Sequence, residues 1–190
     1  IKNLLQSYKK YPDCGVISPT TFNNRFEHTY NGGPFFENEN HRNITKISGD
    51  TCFQTVLGAA MLMEKNFFYS IGKFNENMFL FFSDDDLCKK IRKLNKSAIQ
   101  SESAKAFHMH GNSKVKNILK RTYLREFNMT YDQLYYFYIN KLENILLKKL
   151  KKQHLNYLIK IILNLFLFRF NKSVYYYSRI LAYYKFLIKN

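Results

Sequence analysis

The sequence predicts an α/β domain over residues 1–113 followed by an α-helical tail over residues 114–190. Three observations predict it. Short apolar runs bounded by turn residues, at 14–18 and 56–64, have the length of strands rather than of helices. A segment with clear helical spacing, Leu87, Ile91 and Leu94 on one face, lies downstream of them. The charge also changes character near residue 114: acids and bases are nearly balanced before it, whereas Glu126, Asp132 and Glu143 are the only acids beyond it, among a long series of Lys and Arg.

Taken in order, residues 1–11 read as a helix halted by Pro12. The run Cys14-Gly15-Val16-Ile17-Ser18 reads as a buried strand ending before Pro19. Residues 20–50, rich in Asn, Gly, Thr and aromatics, read as loop with one or two short strands, such as 43–48, and Gly32-Gly33-Pro34 marks a turn. Residues 56–64 read as a strand whose small central residues lie where bulk is not allowed. A short helix over 65–71 ends at Gly72. After the very aromatic stretch 74–82 comes an acidic cluster that opens the amphipathic helix, with Lys89, Lys90, Arg92 and Lys93 off its apolar face. Residues 97–101 and 104–110 read as two short strands. The tail reads as three helices, over about 115–139, 140–169 and 173–189.

A chain of 190 residues with 46% hydrophobic content has a core and is not disordered. Its net charge of +16 favours anionic partners, although Lys is also the default polar residue in a composition this rich in Lys, Asn and Ile. Three cysteines with no close pair fit reduced thiols in a cytoplasmic protein. The chain begins at Ile1 with no signal peptide, which suggests a start inside a longer reading frame.

Three features could carry chemistry. In Ser83-Asp84-Asp85-Asp86-Leu87, Ser83 and Asp86 have capping-box spacing, and that alone could account for all four polar residues. The other reading gives one carboxylate a cleft and a general-base role. In His108-Met109-His110-Gly111 the two imidazoles would share one face of a strand, as edge residues or as part of a metal site needing ligands from elsewhere. Gly58-Ala59-Ala60 would allow close approach of a ligand or, equally, of another backbone. No phosphate-binding glycine loop and no Ser/His/Asp arrangement occurs.

Placed in order, Gly58-Ala59-Ala60-Met61-Leu62, Gly72-Lys73-Phe74-Asn75-Glu76, the stretch Phe79-Leu80-Phe81-Phe82-Ser83-Asp84-Asp85-Asp86-Leu87, then His108 and Ser113 resemble family 2 glycosyltransferases of the rhamnosyltransferase-like type. The resemblance covers roughly residues 12–140. It implies the C-terminal half of a GT-A fold, the half that supplies the acceptor site and the base. The nucleotide-binding half would precede this stretch and would hold most of the Mg²⁺ or Mn²⁺ on the donor diphosphate, so the chain alone would be inactive. Carried over, Asp84 looks like the base and Asp86 a supporting carboxylate. Gly58, Ala59, Glu76 and Asp85 would contact the acceptor, and His108 would be a metal ligand or diphosphate contact. Ser83 and Asn75 depart from the acids usual at their positions. The implied partners are a nucleotide-sugar donor and a saccharide or lipid-linked acceptor, in surface polysaccharide or lipopolysaccharide synthesis.

In the tail, Asn156, Lys160 and Asn164 recur at spacing four in an otherwise apolar stretch, 155–170, too short and interrupted for a membrane span. It suits an interfacial helix, with flanking Lys and Arg on anionic headgroups and the protein peripheral on the inner face of the plasma membrane. Packing of these helices on one another is the other reading. The rival to sugar transfer is a basic, non-enzymatic membrane-surface or nucleic-acid-binding protein; no RNA-binding motif is present, and nucleic acid is not expected.

Overall fold

Two parallel strands form the spine of the N-terminal part. The computed structural model describes residues 1–23, 28–30, 48–109 and 115–190, and these divide into two units: Ile1–Asn75 with Ser83–Asn112, and Glu76–Phe82 with Ser113–Asn190.

In the first unit, β1 (Cys14–Phe22), β2 (His28–Tyr30), β3 (Thr51–Phe53) and β4 (Ser97–Phe107) form a mixed sheet in the order β2-β1-β4-β3. β1 and β4 are parallel, while β2 and β3 run antiparallel to them at the edges. Alternation along β1 and β4 sends Val16 and Ala98 to one face, and Ile17 and Ile99 to the other. α3 (Ser83–Lys93) covers the first face with Leu87, Cys88 and Ile91. α1 (Lys2–Lys10) covers the second with Leu4 and Tyr8. Leu87 and Ile91, spaced one turn apart and fully buried, each contribute about 1.5–3 kcal/mol by leaving water. The unit is therefore mixed α/β, with a helix on each side of a sheet.

Several expectations change in detail. β1 does not stop at Pro19; it runs on to Phe22, because the ladder is irregular between Pro19 and Thr20, where a residue lacking an N–H is tolerated. The opposite strand is irregular at the same place, Pro19 pairing with Ser101 and Thr20 with Lys105, so the two short strands expected over 97–110 are one strand with a bulge. Residues 56–64 are not a strand: Val56 is buried, the chain turns at Gly58 and Ala59, and one isolated bridge joins Leu62 to Ile17. Leu94 lies past the end of α3 and is exposed, so it does not complete the apolar face. α2 (Lys65–Ser70) ends ahead of Gly72, as its sequence implies. The expected turn at Gly32-Gly33-Pro34 lies outside the described residues, as does nearly all of the expected strand at 43–48.

The second unit is built on α4 (Ile118–Ile139), α5 (Ile145–Phe166) and α6 (Phe170–Lys189). Asn117 and Asn144 cap α4 and α5 by accepting the N–H groups of Lys120 and Leu147. Their core is Tyr131, Leu134, Leu150, Tyr157, Ile180, Ala182, Tyr183 and Phe186. Glu76–Phe82 joins this unit: the fully buried Asp132 of α4 accepts the N–H groups of Phe79, Leu80 and Phe81 at 3.2, 2.9 and 2.9 Å, and the Phe82 ring lies 5.5 Å from that of Tyr136. Among the described residues, no helix is long and apolar enough to cross a membrane.

Candidate active site

The site forms where residues 54–58 run alongside α3. Val56 is buried against Leu87 and Cys88, which fixes the turn after it at the start of the helix. There the Gly58 N–H donates to Asp84 Oδ2 at 3.0 Å, and the other carboxylate oxygen accepts the Asp85 N–H at 3.2 Å. A Cβ at position 58 would lie 2.9 Å from Asp84 Oδ2, 3.0 Å from its Cβ and 3.1 Å from its Cγ, so any larger residue there would push the Asp84 side chain away. At the other end of the segment the Arg92 guanidinium donates to the Gln54 carbonyl. In the middle, the buried Thr55 lies beside the Asp85 carboxyl and favours its ionised form. The segment is thus held at both ends by one helix.

This arrangement gives three adjacent carboxyl groups three environments. Asp84 is half-buried in the first turn of α3, where the helix dipole favours negative charge. Asp85 points inward and is buried, with Oδ1 unpartnered. Burial first, then the charge of Asp84, push its carboxyl up to about 7, against the Thr55 hydrogen bond and the Arg92 charge. Asp86 is also buried and lies 2.9 Å from Lys90 Nζ one turn on, an ion pair without the alignment of a hydrogen bond. The capping-box geometry is displaced, because the helix already includes Ser83, and Phe82 before it has φ +63°. The N–H groups near the helix start meet Asp84 instead.

Gly58 and Ala59, expected at the acceptor, are both exposed beside Asp84. Asp85, expected beside them, faces Thr55 rather than solvent, which leaves surface contacts to the other two. Glu76 is exposed and belongs to the second unit. His108 lies just past β4 instead of on it, half-buried, with its N–H donating to the Phe22 carbonyl at 2.8 Å. His110 and Ser113 lie outside the described residues. Among the described residues no three His, Cys, Asp or Glu side chains converge as a ligand set for a metal. The described residues do not by themselves build a site for Mg²⁺ or Mn²⁺.

Sequence reasoning missed Thr55 and Arg92, which hold the site segment, and Asp132, which anchors Glu76–Phe82. A threonine before an apolar run and an acid within a helix carry no local signal of partners 30 or, for Asp132, 51 to 53 positions away. No protein-family model matches the chain, and no curated protein matches its sequence.

Proposed function

We propose that this chain carries the acceptor side of an inverting, sugar-nucleotide-dependent glycosyltransferase resembling family 2, with Asp84 as general base. The observation that supports this reading most is the contact between Gly58 and Asp84. Two elements of the ordered set of motifs, 26 residues apart, meet at a half-exposed carboxylate held by two backbone N–H groups. A base needs that fixity, because proton transfer is efficient only within hydrogen-bond reach of the reacting hydroxyl.

In this reading Asp84 takes the proton of an acceptor hydroxyl as that oxygen bonds to the anomeric carbon of the donor sugar. The bond from that carbon to the diphosphate breaks, the electron pair leaves on the nucleoside diphosphate, and attack from the opposite face inverts the carbon. Gly58 and Ala59 line the acceptor side, and His108 is the candidate contact for the diphosphate or its metal. Asp85 lies next to the base, and burial pushes its own carboxyl up to about 7.

The test is turnover of a panel of sugar nucleotides by the full-length polypeptide, with Mg²⁺ or Mn²⁺ and saccharide or lipid-linked acceptors supplied. Release of nucleoside diphosphate with sugar appearing on an acceptor supports the reading. Absence of turnover with every donor, from protein that is folded, favours a basic binding protein instead.

A further inference from the structure

The helical unit presents an apolar face in the place where a water-facing helix carries its polar residues. Of the polar stripe in α5, Asn156 is exposed, but the two residues beyond it are partly covered. Lys160 and Asn164 are half-buried: the Lys160 ammonium lies 5.3 Å from the centre of the Tyr176 ring on α6, and the Asn164 amide donates to the Lys160 carbonyl at 2.6 Å. The Ser173 hydroxyl of α6 donates to the Ile161 carbonyl and ties the two helices on this side. Leu150 and Tyr157 are buried on the same side. The opposite side of the last three turns is apolar and open: Leu155, Ile159, Ile162 and Phe166 are 63, 49, 54 and 77% exposed. The link into α6 continues it, with Leu167 and Phe168 at 58 and 80%. Scattered exposed leucines need no explanation, but a continuous apolar stripe ending in an apolar turn does.

We infer that this face of the α5–α6 hairpin docks on an anionic lipid surface. The charges around it select that occupant. Lys148, Lys149, Lys151 and Lys152, all exposed, lie about one to two turns before the stripe on the same helix, and Arg169 and Lys172 flank the apolar turn. After Glu143 there is no Asp or Glu in the chain. A second copy placed face to face would set lysines against lysines with no acid to meet them. Nucleic acid would match the charge but gives no reason for exposed Leu and Ile, which cannot stack on bases as aromatic rings do. An acidic headgroup layer over hydrocarbon matches both halves of the pattern: lysines at the phosphates and the stripe a few ångströms deeper. Because no described helix can cross a membrane, the mode is interfacial. This inference does not rest on the sugar-transfer reading, since vesicle binding is read without turnover.

The test is flotation of the full-length polypeptide with vesicles of phosphatidylcholine alone and of phosphatidylcholine with phosphatidylglycerol, at low and high salt. Two variants accompany it: Ile159→Gln with Ile162→Gln and Phe166→Gln, and Lys148→Gln with Lys151→Gln and Lys152→Gln. All six positions are exposed, so both variants are expected to fold, which circular dichroism checks. The expected result is binding to the anionic vesicles that weakens with salt, is at least about 10-fold weaker in either variant, and is far weaker on phosphatidylcholine. Undiminished vesicle binding in the apolar variant overturns the inference. So does a concentration-dependent dimer, lost in that variant, from a protein that ignores vesicles; the face then belongs to a second copy. Failure to bind either vesicle with no self-association overturns it as well.

Discussion

Replacing Asp85 with Asn removes the one charge that α3 buries without a cationic partner of its own. The Asp85 carboxyl is pushed from its ordinary 3.8 to about 7, by burial first and the Asp84 charge second. Below pH 3.8 it is protonated in both the folded and the unfolded chain. Between that value and about 7 the folded protein keeps a proton that the unfolded chain has released, so stability falls as pH rises; above about 7 both states are ionised and the loss is complete. A gap of about 3 pH units at roughly 1.4 kcal/mol each comes to about 4 kcal/mol. Asn has nearly the same size and never ionises. Urea unfolding of both proteins from about pH 4.5 to about pH 8.5 reads the effect. Wild type should lose stability relative to Asp85→Asn across this range, by up to about 4 kcal/mol at the alkaline end. Asp132, also raised by burial, is present in both proteins and drops out of the difference. A difference that does not vary with pH refutes the placement of Asp85 in the interior.

Gly58→Ala puts a methyl 2.9 to 3.1 Å from three atoms of Asp84; overpacking of this kind costs about 1–3 kcal/mol, which a thermal melt measures, and by displacing the base it should lower turnover beyond what stability explains. Asp132→Ala leaves the N–H groups of Phe79, Leu80 and Phe81 without their acceptor and should cost about 2–3 kcal/mol in urea unfolding, with a milder loss for Asp132→Asn, which keeps one acceptor oxygen. Cys14 and Cys88 are buried, and burial pushes both thiols up to about 12, whereas Cys52 is exposed; a thiol-reactive dye at neutral pH should label one cysteine rapidly and the other two only on unfolding.

The helices were legible because helical periodicity is a local signal. The three tail helices fall within a few residues of their expected spans, and α3 announces itself by Leu87 and Ile91 one turn apart. Strands were harder. The stretch 56–64 has the composition of a strand, but Val56 plugs the core and Gly58 turns toward Asp84, a choice made by α3 and not by the stretch itself. The single strand over 97–107 looked like two because its bulge lies opposite Pro19, some 80 positions away. The polar stripe on α5 was visible as a stripe, but which of its residues would be covered depended on Tyr176 and Ser173 of another helix. At the site, sequence order pointed to Gly58 and to the acidic run; that Asp84 is the half-exposed carboxylate, while Asp85 and Asp86 turn inward, follows from the phase of α3 against the sheet.

The most direct measurement is the turnover of a sugar nucleotide by the full-length polypeptide and by its Asp84→Asn variant, matched for folding and for donor KM. If Asp84 takes the acceptor proton, the variant loses about 10²–10⁴-fold in kcat with donor KM nearly unchanged. Turnover within a few-fold of wild type contradicts the account and places the base elsewhere.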